Sequence, residues 1–289
     1  MDEKDYELLL ELYRSGNITH TAQKLFITQP AITKRIQKME EELQCQLMVR
    51  SKKGIVFTPA GESIIPYVTT ILSNSRMLRE QALASQSEIC GTIHLGASLN
   101  FSHYRLPGIL KQFAAQYPLV DLQIYTGQSR NLYQKLQQDE ISIAILRGEY
   151  FWEDPVHLLS TEPICLVCSR ENAGRPLAEY PYIGRHTDSI LAEKIVNWMA
   201  SQGLAGTTPK LHVDDIDTCK EMARHGLGWC ILPQICLDDF DGHWEKLFLA
   251  DGSPFVRNTY VLYKKPYGQL PQIRGFLDYL LSPSIVSSR

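Results

Sequence analysis

This 289-residue chain lacks any apolar run long enough to cross a bilayer, which takes about 20 consecutive apolar residues. No apolar leader is expected either. Met1-Asp2-Glu3-Lys4-Asp5 is charged and leads into a helix, so no secretory signal is read there. The expected compartment is the cytoplasm, with no membrane partner. Seven cysteines are an odd number, and a reducing compartment argues against a disulfide framework. Cys165-Leu166-Val167-Cys168 has the CxxC form but no second pair and no nearby histidine pair. On a strand its two sulfurs point to opposite faces, which suits buried core cysteine better than zinc or redox chemistry. The eight histidines are scattered, none spaced for metal. Neither a glycine-rich phosphate loop nor HExxH nor GxSxG occurs, and Gly226-Leu227-Gly228 reads as a helix end. No catalytic residues, metal or cofactor are therefore expected, and the chain is not read as an enzyme.

A global basic charge is missing too, since the formal net charge is −3. The charge is local instead. From Lys24 to Lys53 there are seven Lys/Arg against three acids, Glu40, Glu41 and Glu42. That suits a protein that must find nucleic acid without adhering to all of it. The same segment carries the most informative pattern in the chain. Asn17 to Ile36 reads as two short helices joined by a tight turn, with Ala22 and Leu25 inside the first. Thr28 is a natural N-cap and Pro30 falls in the first turn, where its missing N–H costs little. Ile32, Ile36, Met39 and Leu43 make a buried stripe. Gln29, Thr33, Lys34 and Gln37 fall off that stripe, near a helix N-terminus, where they can meet base edges and phosphates of double-stranded DNA. A polar face that meets only water is the plain alternative, and the residues after this helix weigh against it. Leu47–Arg50 and Ile55–Phe57 flank Ser51-Lys52-Lys53-Gly54, a strand, a turn and a second strand. A basic hairpin after a recognition helix is a wing, and Arg50, Lys52 and Lys53 can neutralise phosphates beside the groove.

With helix and wing in this order, the chain resembles the LysR-type transcriptional regulators. The resemblance rests on Ala22-Gln23-Lys24-Leu25, on Thr28-Gln29-Pro30-Ala31-Ile32-Thr33-Lys34, and on Met39-Glu40-Glu41-Glu42-Leu43. It continues through Leu47-Met48-Val49-Arg50 and Thr58-Pro59-Ala60-Gly61-Glu62, in the family's order and spacing. The family's usual serine and arginine are Thr33 and Lys34 here, and lysine loses the bidentate fork. The resemblance implies a winged helix-turn-helix over residues 1–58 and a linker and dimerisation helix over 59–89. An α/β effector domain with the two-lobed, periplasmic-binding-protein-like fold is then expected over 90–289. Its first lobe is expected at about 90–162 and 264–289, its second at about 163–263.

The residues agree with that outline. Thr58 can cap a helix with Pro59 at its first position, and a helix reaching Ser87 would span about 40 Å. A lone helix that long has nothing obvious to pack on, so pairing with a second copy is the economical answer. Pro66 inside it should kink it or end it. Beyond Cys90-Gly91, strands and helices alternate. Strands are read at Thr92–Gly96, Leu119–Tyr125, Ile141–Leu146, Cys165–Cys168, Leu211–Val213, Trp229–Pro233 and Thr259–Tyr263. Helices are read at Leu106–Phe113, Ser129–Gln137, Leu191–Ala200, Ile216–His225 and Ile273–Leu281.

In such folds ligands bind beyond the carboxyl ends of strands. Those places hold Ser98 and Asn100, Gln128 and Ser129, Arg147, and the loop at Asp214-Asp215, while Arg257 precedes another strand. Arg147 ends the most apolar strand, an awkward place unless it faces a cleft and binds an acid. Ser98 can equally cap a helix, and either arginine can pair with Glu149 or another carboxylate. The segments Val213 to Met222, Gly226-Leu227-Gly228, Ile231-Leu232-Pro233 and Gln269-Leu270-Pro271-Gln272 also resemble the citrate-responsive catabolite-control branch. The expected effector is thus a di- or tricarboxylate such as citrate. The expected partners are DNA, the chain itself as homodimer or homotetramer, and RNA polymerase if it activates. One rival is a regulator that senses thiol oxidation, which needs two cysteines to meet, such as Cys219 with Cys230. The rival of another class is a solute-binding protein, which needs a signal peptide and has no use for a DNA-binding head.

Overall fold

The structure is a computed structural model and describes residues 1–51, 54–83 and 88–282. It divides into two compact units, Met1–Gly91 with Gln137–Glu140, and Thr92–Leu136 with the chain from Ile141 on.

The first unit holds α1 (Glu3–Ser15), α2 (Ile18–Lys24), α3 (Gln29–Leu43), the strands β1 (Met48–Ser51) and β2 (Gly54–Phe57), and α4 (Pro59–Leu83). Asp2 caps α1 in a reciprocal box with Asp5, and Gly16 ends it in the left-handed region. The Thr28 hydroxyl accepts from the Ala31 N–H and Pro30 lies in the first turn of α3. Ile32, Ile36 and Met39 are buried with Leu8, Leu9, Leu12 and Leu47. Leu43 is not: it ends the helix, Gln44 turns left-handed after it, and its side chain stays 40 % exposed. β1 and β2 pair antiparallel from Met48↔Phe57 to Ser51↔Gly54. Lys52 and Lys53, expected at the tip between them, lie outside the described residues. Thr58 accepts from the Gly61 N–H, so it caps α4 as the sequence predicts.

α4 continues through Pro66. The hydroxyls of Thr69 and Thr70 bond back to the carbonyls of Ile65 and Pro66, the helix-compatible bond for threonine. Its first half is not a lone helix. Ile65 and Val68 are buried, Ile64 and Leu72 pack beside them, and the partners are the leucines of α1. Tyr67, Ile71 and Leu78 stay exposed.

The second unit is built on β3 (Gly91–Ser98), β4 (Val120–Gly127), β5 (Ile143–Arg147), β6 (Val156–Cys168), β7 (Ile183–Arg185), β8 (Leu211–Val213), β9 (Cys230–Pro233), β10 (His243–Lys246) and β11 (Val256–Tyr263). Its helices are α5 (Leu99–Tyr104), α6 (Leu106–Gln116), α7 (Ser129–Gln137), α8 (Ser189–Ser201), α9 (Ile216–Arg224) and α10 (Pro271–Leu280). The main sheet runs β10-β6-β11-β5-β3-β4, with β9 also on β6, while β7 and β8 pair separately and parallel. β6 joins the two lobes. Its first half pairs with β11, its second with β9 and β10. The sequence pattern predicts this strand only from Cys165, after Pro163. The proline sits where the strand changes partners, a place where a missing N–H is tolerated. Cys165 and Cys168 do fall on opposite faces, in two different core clusters. The observed fold is a winged helix-turn-helix, a long helix and a two-lobed α/β fold. Among the described residues no helix is long and apolar enough to cross a membrane.

Candidate nucleic-acid interface and effector site

On the first unit, Thr28, Gln29, Pro30, Lys34, Gln37 and Arg50 are exposed and Thr33 is half-buried. They form one surface of α3 and β1. Gln29 donates to the Thr19 hydroxyl at 3.1 Å, and the Thr33 hydroxyl donates to the Gln29 carbonyl at 3.1 Å. Arg50 donates to Thr33. Thr19, at the start of α2, is the residue that sequence reasoning missed here, and Asn17 caps that helix through the N–H groups of Thr19 and His20.

The local cations are not equally available. Lys24 is held by Glu11 at 2.6 Å, Arg35 by Asp5 at 3.1 Å, and Lys38 faces Glu42 at 3.7 Å. Lys34 and Arg50 have no carboxylate partner among the described residues. The positive charge left for phosphates therefore sits on the recognition helix and the wing. That arrangement suits the edge of a major groove.

In the second unit, strand register assembles the other site. Thr259 of β11 stands opposite Arg147 of β5, and Arg257 of β11 opposite Glu162 of β6. Residues two apart share a face, so Arg257 and Thr259 present together beside Arg147 and Glu162. Ser98 comes from the end of β3. Arg185 comes from the end of β7 in the other lobe, near enough that its charge acts on Arg147. The Arg147 guanidinium is buried and pairs with Glu162, whose second oxygen accepts from the Ile235 N–H at 3.1 Å. Arg257 pairs with Asp188. Arg185 donates to the His186 carbonyl at 2.9 Å and has no carboxylate partner among the described residues.

Burial pulls the Arg147 pKa down to about 10, opposed by Glu162 and helped by the charges of Arg257 and Arg185. The group is still cationic at neutral pH. Arg185 is lowered as well, by burial first and then by Arg257. Like charges this close, out of water, are costly without counter-charge. Yet the Nε atoms of Arg147, Arg185 and Arg257 are buried without an acceptor, and so are the hydroxyls of Ser98 and Thr259. Three guanidinium groups stand against two carboxylates, with buried donors unused, and an anion would supply both the missing charge and the missing acceptors.

The structure brings together Ser129, Arg147 and Arg257 of the sequence-predicted set, while the register of β3 on β5, continued by one residue, aligns Ser98 with Leu146, the neighbour of Arg147 on β5. Ser129 contributes by accepting from the Arg147 backbone N–H at 3.0 Å. Ser98 occupies the cap position of α5 but makes no capping bond. Asn100 is half-buried on α5 and Gln128 is exposed before α7. Neither makes a contact with the arginines among the described residues. Sequence reasoning missed Arg185, Thr259, Glu162 and Asp188, and also Tyr150, which lies near Ser129.

Comparison with known proteins identifies the family and the fold. A family model described as a bacterial regulatory helix-turn-helix protein of the lysR family matches residues 4–62. One described as a LysR substrate binding domain matches residues 86–282. The chain is 33% identical over 288 residues to the uncharacterized HTH-type transcriptional regulator YraN of Bacillus subtilis, covering 99% of this chain and 100% of that one. It is 31% identical to YkuM of the same organism, covering 97% of each. Among solved structures, a full-length OxyR variant from Pseudomonas aeruginosa superposes with a TM-score of 0.69 at 18% identity, covering 99% of each chain. Full-length CbnR complexed with its target DNA gives 0.64 at 16%, covering 97% of this chain and 99% of CbnR. The chain belongs to the LysR family: it is a DNA-binding transcriptional regulator with an effector-binding domain, and not an enzyme.

Proposed function

We propose that this regulator responds to a small di- or tricarboxylate, citrate being the first candidate, held by Arg147, Arg185, Arg257, Ser98 and Thr259. Ser129 and Tyr150 position Arg147 from behind, and Asn100 and Gln128 lie at the margin. The observation that carries this reading is the unbalanced arginine cluster with its unused buried donors. The resemblance of the second half to the citrate-responsive branch supports the choice of acid. On the DNA side, Gln29, Thr33, Lys34 and Gln37 read the major groove, with Thr28 and Pro30 fixing the helix start. Arg50, Lys52 and Lys53 take phosphates. The functional pieces are residues 1–58, 59–89 and 90–289, and the chain works as a homodimer or homotetramer that meets RNA polymerase if it activates. The test is a thermal-shift screen of the full-length protein against central-metabolism carboxylates. A ligand that prefers the folded state raises the melting temperature. No shift with any carboxylate would sink the acidic effector.

One observation favours a second reading. The thiols of Cys219 on α9 and Cys230 on β9 lie in one core cluster, near enough to act on each other's ionisation. Cys230, and after it Arg185, hold Cys219 below the usual thiol range against the effect of burial. Such a pair suits a sensor of thiol oxidation. Both side chains are fully buried, which opposes fast reaction. Titration of native thiols before and after peroxide decides it: loss of two titratable thiols per chain supports the sensor, an unchanged count removes it.

A further inference from the structure

Two arginines of the cluster are held by acids of the chain itself, and the two acids are not alike. Glu162 is fixed at both oxygens, by Arg147 and by the Ile235 N–H. Asp188 is 40% exposed. One of its oxygens pairs with Arg257 and the other caps α8, accepting from the Leu191 N–H at 3.0 Å. Its carboxyl lies below the usual range. Burial raises it, but Arg257 and the Leu191 N–H outweigh that, so it competes as a full anion at neutral pH. A carboxylate between an arginine and the N-terminus of a 13-residue helix stands where a ligand's acid group would be held most firmly. On the face of β11 that carries Arg257, Thr259 is fully buried with its hydroxyl unused, and the Ser98 hydroxyl at the end of β3 is buried and unused as well.

We propose that Asp188 is an internal occupant of the effector's anion position: an acid group of the effector displaces it from Arg257, and in doing so releases the cap of α8. This rests on the acidic-effector reading above. It also narrows the ligand class. One acid group satisfies the unused donors of Arg147 and Arg185, and only a second, suitably spaced, replaces Asp188. A monoacid fills the first place and leaves Asp188 where it is. The displacement gives binding a mechanical consequence, because residues 186–188 join β7, which carries Arg185, to α8.

The experiment uses full-length protein and calorimetry with citrate, succinate and butyrate. Asp188→Asn keeps a good capping residue and removes the competing charge. Citrate and succinate should bind it about tenfold more tightly than wild type, and butyrate within about threefold. Glu149→Gln makes the same charge change two residues from Arg147, at an exposed position with no arginine partner among the described residues. It should move affinity by no more than about twofold. In wild type, citrate should speed hydrogen exchange at the Leu191 amide. Unchanged or weaker diacid binding by Asp188→Asn, with wild type still binding, overturns the internal occupant and leaves the effector reading standing. An equal gain in Glu149→Gln overturns it as well, since any lost charge would then do. If neither protein binds an acid, both readings fall. Should Asp188→Asn not fold by circular dichroism, Asp188→Ser, a second capping residue, carries the same comparison.

Discussion

The Arg50 guanidinium, on the first wing strand, donates to the Thr33 hydroxyl of the recognition helix at 2.7 Å. Thr33 in turn donates to the Gln29 carbonyl. The cation proposed for phosphate and the helix proposed to read bases are thereby tied through one hydroxyl. Thr33→Ala should free Arg50 and shift sequence preference more than overall affinity. Arg50→Ala should weaken binding to every sequence and reduce the salt slope of log affinity by about 0.9. Fluorescence anisotropy on a family of operator variants at several salt concentrations separates the two. Equal loss on all sequences in both variants would show that Thr33 reads no base.

Lys34 has no carboxylate partner among the described residues, whereas Lys24 is held by Glu11. Lys34→Ala should therefore cost DNA affinity and flatten its salt dependence. Lys24→Ala should leave the slope unchanged within about 0.3, because its charge is already neutralised. A matching slope loss in Lys24→Ala would contradict the division of cations drawn from the ion pairs.

The seam of α4 makes a prediction about assembly. Leu72 packs into the core of its own unit, whereas Tyr67, Ile71 and Leu78 are exposed. Ile71→Asp with Leu78→Asp should leave the head folded and yield smaller species by sedimentation, since an unpartnered charge on a buried seam costs a few kcal/mol, about 2–7 for a polar group left without a hydrogen bond. Leu72→Asp should instead lower thermal stability of the head. If the double variant keeps wild-type mass, the exposed side of α4 is not where copies meet.

The head was legible because its signals are local. A cap, a first-turn proline and a stripe at helical spacing lie within twenty residues, and the wing comes directly after. The cleft was legible only in part. Arg147 stood out because a cation after the apolar run Ile141–Leu146 is locally odd. Glu162, Thr259 and Asp188 carry no such mark. Register across β5, β11 and β6 brings the first two to Arg147, and no single strand reports its register. Arg185 ends a strand of three residues, too short for a period to show. The same blindness affected the charge count. Glu11 and Asp5 lie in α1, outside the basic window, and only the fold puts them on Lys24 and Arg35.

α5 is fastened to α9 by a second cluster, in which the Tyr104 hydroxyl donates to Asp217 and buried Lys220 reaches Asp217 at 3.3 Å and Asp239 at 2.9 Å. Lys220 also lies over the Tyr104 ring. Burial lowers the lysine pKa, but the two acids outweigh it and the net shift is upward. Its contribution is thus complete below the ordinary lysine range and is lost as pH rises through the raised value. Lys220→Met should cost about 1–3 kcal/mol at pH 8, typical of hydrogen bonds to a charged group. The gap to wild type should narrow as the pH climbs past about 10.4. Urea unfolding at the two ends checks the sign, and a gap that widens in alkali would mean the acids do not hold this amine charged.

Arg147 has two roles that a single alanine would confuse. It closes an ion pair with Glu162 at 4% and 12% exposure, and its Nε is buried without an acceptor. Arg147→Ala strands Glu162 in the interior, so about 3–5 kcal/mol of stability should go with it. Ligand binding would fall for that reason alone. Arg147→Ala with Glu162→Gln removes both charges, should regain most of the stability, and should still bind citrate about ten- to a hundredfold more weakly than wild type. Arg147→Lys should keep the pair but recover affinity only partly, because a point charge cannot reproduce the planar fork. Arg185→Ala, with no acid of its own to strand, should lose affinity with little loss of melting temperature. Denaturation and calorimetry on the same four proteins separate the roles. If the double variant is stable and binds citrate as wild type does, Arg147 is purely structural and the anion lies elsewhere.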